Sequence, residues 1–514
     1  MLFALVLLML LLTGGLPLLV MVADSISGGD GGRLAAYRAL FVSTRPWLLM
    51  GNSMVLATLT TSGSLVLGIP AGVLVSRTDL PGRRALAALL AMPLLLPPYL
   101  TAVAWMGVGT ANGLVAGLLF GLPGCVLVLT TAFMPLVMIL VATTLRAVPR
   151  RLEEAGLMLS GWPAVLRRIS LPLIAPGILL AAALVFLLTL GEVSVPLSLR
   201  YPVFAVESLN RFAAFYDLTA ATAAAMPLAG VTALVLGAEA WLARRTGGAH
   251  VLDARAAGDC LRIPLGGLRT PVTVVAWGAA LALVGWPFVL LIGRAGGVVN
   301  YVAAFRAAGD SLVRSLLLAG TAGALLAGMG FLLALFIREN GPALGAAVGG
   351  TALFLFAVPG PVIGVGLIVL WNRPWANLIY ATPLMLLAGY LARYTAVTLR
   401  LNRAFLDLLP EGLVDAARVA GAGWFQRLVW VVTPLAWRGI AAAWLAGAVF
   451  CLRDVGLSLL VHPPGADTLP VRIMTLAANG APEMIAALCV ILVLTTLFGV
   501  VCLMLILGRE KVLA

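Results

Sequence analysis

The chain has 514 residues, 62% of them hydrophobic and 10% charged, with a formal net charge of +13 and a mean hydropathy of +1.10. That composition excludes a soluble globular domain. The positive charge does not indicate nucleic-acid binding, because it comes almost wholly from arginines in short loops between apolar runs, Lys511 being the one lysine.

A hydrocarbon core about 30 Å thick needs roughly 20 mostly apolar residues per helix, and twelve such segments can be read along the chain. In the first half they lie near residues 2–22, 51–76, 85–109, 113–145, 171–191 and 219–242, and in the second near 271–292, 312–337, 345–370, 375–399, 434–460 and 483–507. Strand-like alternation is absent and Ala and Leu dominate, so helices rather than a barrel satisfy the backbone in lipid. The first run lacks a basic leader and a small-x-small cleavage site, and it reads as a span rather than a signal peptide. Pro93, Pro97 and Pro98 in the third span, and Pro359 and Pro361 in the ninth, remove helix hydrogen bonds and permit kinks. The five cysteines show neither disulfide nor metal spacing. With His250 and His462 the only histidines, a His-based metal site is unsupported.

Basic residues orient the chain. If both termini share one side, that side receives 22 of the 33 Lys and Arg residues. Basic loops stay in the cytoplasm, so the expectation is a multi-pass protein of a bacterial cytoplasmic (inner) membrane with both termini inside. Arg33, Arg38 and Arg45 run against this and make the first span the weakest point of the orientation.

Two polar stretches 262 residues apart read as copies. Glu153-Glu154-Ala155, Gly161-Trp162 and Pro172 align without a gap on Asp415-Ala416-Ala417, Gly423-Trp424 and Pro434, and eight of 26 positions are identical. The same offset sets Leu96-Pro97-Pro98 on Val358-Pro359-Gly360 and Glu192 on Asp454. The expected architecture is therefore all-α and polytopic, with about twelve spans in two parallel six-helix repeats. The expected domains are 1–243, with a polar segment at about 150–172, and 271–514, with one at about 411–434; residues 244–270 form a cytoplasmic linker. Each segment opens with acid, which suits a helix N-terminus, and its proline launches the next span.

At these residues the chain resembles the permeases of binding-protein-dependent ABC importers, whose hallmark is a Glu-Ala-Ala loop followed by Gly and then Pro at fixed spacing. Asp415-Ala416-Ala417, Gly421 and Pro434 fit that spacing; in the first copy Leu159 stands where Gly is expected. The resemblance implies the type I importer fold and a loop seated in a groove of a separate ATP-binding subunit. Glu153, Glu154, Ala155, Gly161, Trp162 and Pro172 would serve one member of that cytoplasmic dimer, and Asp415, Ala416, Ala417, Gly421, Trp424 and Pro434 the other. It also implies a periplasmic or lipid-anchored substrate-binding protein, with ATP and Mg used by the partner and no cofactor held by this chain. No Gly-x-x-x-x-Gly-Lys-Ser/Thr pattern occurs, so no enzymatic activity is expected of the chain alone. The stretch Gly465-Ala466-Asp467-Thr468-Leu469-Pro470-Val471-Arg472-Ile473 resembles the second half of fused ferric-iron permeases, with thiamine permeases as near relatives.

A secondary transporter would need ionisable groups at mid-membrane depth, which are nearly absent. An enzyme would need a clustered nucleophile, acid/base pair or metal set. Glu192 and Asp454, near the outer ends of the fifth and eleventh spans, are candidates for a substrate pathway, with local ion pairing as the alternative.

Overall fold

The computed structural model describes residues 2–27, 35–111, 117–215, 218–245, 261–380, 382–407 and 409–508. Most of the expected linker (246–260, with His250), together with Arg33, Arg509 and Lys511, lies outside the described residues. Helices make up the regular structure; among the described residues the one β-type pairing is an isolated bridge between Thr78 and Ile263.

Among the described residues eight helices are long and apolar enough to cross a membrane, and up to eleven spans result if three bent helix pairs each count as one. The remaining expected segment, 375–399, overlaps the helix Pro383–Leu406, which does not meet that test. Arg393, Arg400 and Arg403 dilute its hydropathy, and Arg393 is committed to a buried ion pair described below. The chain is an all-α polytopic membrane protein.

The bends fall where proline chemistry puts them. Arg83–Leu95 and Pro98–Gly107 meet at 97°, and Ala343–Ala357 and Gly360–Trp371 at 101°. Leu96 and Val358 each precede a proline and are held extended, at ψ 149° and 132°, because the following ring disfavours the helical conformation. A third bend, of 66°, separates Trp162–Leu173 from Ala175–Leu190. Its counterpart in the second half continues without a break as Thr433–Leu452. Local structure also keeps the 262-residue register: Trp162–Val165 with the π turn Leu166–Ser170 matches Trp424–Arg427 with the π turn Leu428–Val432.

Two compact units emerge, and they cut across the sequence repeat. One contains Met1–Ser27, Arg306–Thr475 and Ile491–Ala514; the other contains Gly28–Phe305 and Leu476–Val490. Each thus takes its first span from the opposite half of the sequence. In the first unit a Cβ on Gly14 would lie 2.5 Å from Leu355 Cδ1, and one on Gly366 would lie 3.1 Å from Pro17 O. The terminal helix is therefore packed through backbone. In the second, Gly107 admits Arg294 in the same way, 2.9 Å from where a Cβ would stand.

The core of the 28–305 unit shows how such packing is encoded. Along Thr44–Arg77 a buried stripe of Thr60, Ser64, Gly68, Gly72 and Ser76 repeats every four residues, the spacing of one helix face. A Cβ on Gly68 or Gly72 would come within 2.6 Å of Val137 or 2.7 Å of Val141. Small residues let this helix lie directly on Leu122–Arg146, where lipid offers no hydrophobic drive and close packing must hold the pair.

Candidate functional site

The first polar segment begins where Leu122–Arg146 ends. Pro149, with φ −62°, starts the helix Arg150–Leu159, a position that tolerates proline because its missing N–H would be unpaired anyway. Glu154 faces outward and pairs with Arg150 one turn earlier, Nε to Oε1 at 2.7 Å. Glu153 turns inward and is fully buried. Its carboxylate lies 3.0 Å from Arg77 Nη1, both side chains being 1% exposed, and it accepts a hydrogen bond from Ser170 Oγ at 2.8 Å. Arg77 also donates to the carbonyl of Leu145. The end of the second span, the end of the fourth and both arms of the segment are thereby tied at one point. Gly156 lets the arms close, since a Cβ there would meet Ile169 at 2.5 Å. Glu153 is consequently an anchor of the segment, buried behind its exposed face. The exposed face carries Glu154, Ala155 and Gly161, with Met158 88% and Leu159 91% exposed; Trp162 is half-buried and Pro172 exposed.

The second segment has the same course with different fastenings. Pro410 starts Glu411–Val419. Gly421, at φ +85°, then ends the helix in the left-handed conformation that glycine adopts without strain. Ala422 N donates to Ala417 O at 3.0 Å, closing a Schellman-type cap. In the first copy Leu159 occupies that position, the helix runs through it, and Ser160 ends it by bonding its own N–H and hydroxyl to Gly156 O at 2.9 and 3.0 Å. The absent glycine therefore lengthens the first helix at this end. Asp415, the counterpart of Glu153, is exposed, as are Ala416 and Pro434, with Ala417 half-buried. Glu339 stands where the first copy has Arg77, and Val432 where it has Ser170. Two acids cannot pair, and Glu339 instead accepts from Trp424 Nε1 at 3.1 and 3.2 Å. Phe3 packs edge-on against the Trp424 ring at 5.3 Å. In both copies the last turn of a long span tethers the segment, through an acid in one and through tryptophan in the other.

Glu192 and Asp454 each cap a short helix in their own unit. Glu192 accepts from Ser194 N at 2.9 Å and from the Ser194 hydroxyl. Asp454, 4% exposed, accepts from Leu457 N and Ser458 N at 3.0 and 3.1 Å. It also takes Arg393 Nη1 at 2.9 Å and the Tyr394 hydroxyl at 2.5 Å. Local pairing accounts for Asp454. Its partner is Arg393, sixty-one positions away, which adjacency in sequence does not reveal. The Gly465–Ile473 stretch is likewise built in: Arg314 donates to Gly465 O, Leu469 N donates to Ser315 Oγ at 2.7 Å, and Arg472 lies 3.7 Å from Asp467. Among the described residues no cluster of three His, Cys, Asp or Glu side chains is arranged to hold a metal.

Sequence reasoning missed Arg77, Ser170, Glu339, Arg393 and Tyr394. One signal was available. Arg77 and Glu339 are the charge-reversed pair that the 262-residue offset sets opposite Glu153 and Asp415.

Residues 326–509 match the family model described as "Binding-protein-dependent transport system inner membrane component". Among similar proteins, a probable molybdenum ABC transporter permease of Haloferax volcanii is 35% identical over 158 residues, 29% of this chain and 58% of that protein. A trehalose transport system permease of Mycobacterium tuberculosis is 29% identical over 164 residues, 32% of this chain and 58% of that protein. The chain thus spans somewhat over half the length of these two relatives. An Fe(3+)-transport system permease of Haemophilus influenzae is 24% identical over 447 residues, 83% of each chain. Residues 326–509 thus carry the inner-membrane component of binding-protein-dependent transport systems, and the chain as a whole, with paired polar segments on an all-helical membrane scaffold, is similar to the permeases of ABC transport systems.

Proposed function

We propose that this chain is the transmembrane permease subunit of an ATP-driven importer, accepting a solute from an extracytoplasmic binding protein and passing it across a bacterial cytoplasmic membrane. In this reading both termini and both polar segments face the cytoplasm. The segments dock on two copies of a separate ATP-binding subunit, which alone uses ATP and Mg. The observation that carries the proposal is the pair of segments, each mechanically fastened to the end of a long span and each offering exposed apolar side chains: Met158 and Leu159 in one, Val419 and Phe425 in the other. Such faces suit burial against a protein partner. Glu154, Ala155, Gly161 and Trp162 would meet one subunit, and Asp415, Ala416, Gly421 and Trp424 the other. Glu153 fixes the first lever from behind, and Pro172 and Pro434 begin the spans that the levers move.

Ferric iron is the proposed substrate, supported by the Gly465–Ile473 resemblance and by an Fe(3+)-transport system permease that aligns over 83% of both chains. The test is reconstitution of the full chain in proteoliposomes with a candidate ATP-binding subunit and binding protein from the same organism. ATP-dependent accumulation of ferric iron, thiamine and molybdate would then be measured in parallel. Uptake of iron alone is expected. Uptake of another solute would replace the substrate, and ATP-independent, ion-gradient-driven uptake would overturn the class.

A further inference from the structure

On the 28–305 unit four helices, with Met134 contributed by Leu122–Arg146, line a groove of about 340 Å³ with hydrocarbon walls. Leu67 and Leu74 come from Thr44–Arg77, Leu86 and Leu90 from Arg83–Leu95, and Val272 and Leu283 from the helix that follows Arg269 and its π turn. Its lining runs from Leu268 to Leu283, roughly 22 Å at 1.5 Å per residue. One leaflet of hydrocarbon is about 15 Å deep, so the groove is long enough to take an extended acyl chain.

One end of the groove is strongly basic. Arg83 begins the helix whose Leu86 and Leu90 line the wall, three and seven residues on, which puts all three on one face. The charges of Arg262, Arg84 and Arg146 act on Arg83, and Arg84, Arg146 and Arg262 are exposed. Arg83 itself reaches Thr78 O at 3.1 Å. The cluster is held in place from both sides: Ile263 N donates to Arg77 O at 2.7 Å, and Leu265 N to Asp79 Oδ1 at 3.0 Å. Asp79 is the acid at this corner, and it is already accepting that backbone bond. Arg83, Arg84 and Arg262 at the head of an apolar groove call for an anion joined to an apolar tail.

We propose that this groove is a binding site for an anionic phospholipid, its phosphate among Arg83, Arg84 and Arg262 and one acyl chain along the wall from Leu268 to Leu283. A free phosphate would answer the charge and leave the apolar walls open; a zwitterionic lipid would fill the walls and leave the arginines uncompensated.

The full chain, delipidated in detergent, is titrated with dioleoylphosphatidylglycerol or dioleoylphosphatidylcholine, and retained lipids are counted by native mass spectrometry. Selective retention of one phosphatidylglycerol is expected. Arg84→Gln with Arg262→Gln should weaken it about 25-fold, near fivefold per arginine removed. Ala279→Trp, an exposed lining position, should abolish it by filling the groove. Inorganic phosphate in large excess should not compete. Equal retention of both lipids, or unchanged affinity in the arginine double variant at wild-type thermal stability, would reduce the groove to ordinary lipid contact and overturn the proposal. Competition by phosphate, or a chain dimer that Ala279→Trp dissolves, would assign the site to another occupant.

Discussion

Replacing Glu153 with leucine tests whether the first segment is clamped from behind. The substitution keeps approximate volume and removes the charge, leaving Arg77 1% exposed with only carbonyl partners at Leu145 and Leu261. Removing one member of a buried ion pair costs about 3–5 kcal/mol, because the other charge stays buried without compensation. That cost falls on the closed arrangement of residues 150–173, so it should appear as local opening. Hydrogen exchange in the helix Arg150–Leu159, followed by mass spectrometry on the full chain in detergent, should accelerate on the order of 100-fold or more. Adding Arg77→Met removes the stranded charge and should return exchange most of the way, since apolar replacement of a whole buried pair is often neutral. Asp415→Asn, at the equivalent but exposed position, should stay within about 0.5 kcal/mol of wild type. Acceleration below about tenfold in Glu153→Leu, or a double variant as fast as the single one, would refute the clamp.

Gly421→Ala forces a β-carbon into φ +85° and should loosen the end of Glu411–Val419 by about 1–2 kcal/mol. Leu159→Gly at the matching position should weaken its helix by up to about 1 kcal/mol; exchange at the two helix ends checks both signs. Asp454→Asn should cost about 3 kcal/mol or more by stranding Arg393, against about 1 kcal/mol for Glu192→Gln, which keeps a hydrogen-bond acceptor near Ser194. Chemical unfolding in micelles should reproduce that order. Gly68→Leu drives side-chain atoms into Val137 and the Met134 carbonyl and should lower stability by about 1–3 kcal/mol or more. Gly51→Leu, with open space around it, should leave the melting temperature nearly unchanged.

Span positions were readable because lipid imposes one simple demand, a long apolar run, and eleven of twelve expected spans meet it alone or as bent pairs. The breaks at Leu96 and Val358 were readable for a similar reason, since proline acts on the residue before it whatever the tertiary setting. The helix Pro383–Leu406 shows the limit. Its arginines lower the hydropathy, and the burial of Arg393 depends on an aspartate on a different helix end. Glu153 shows a second limit. An acid in a surface-looking motif reads as outward-facing, and only the three-dimensional meeting of Arg77, Ser170 and Leu145 turns it inward. The exchanged first spans left no local trace, because an apolar helix carries no label for the unit it joins.

The exchange of first spans has a consequence for the order of synthesis. The helix near the N-terminus belongs with chain that begins at Arg306. At about 5–20 residues per second, it waits roughly 15 to 60 s in the bilayer before its packing partners have been made. The other unit likewise lacks its 271–295 helix, and its 476–490 stretch, until those parts of the chain emerge. A nascent chain arrested between the two halves would therefore hold an orphaned first helix and an incomplete bundle, both open to membrane quality-control proteases. Co-expressed halves would have to find each other before either could settle.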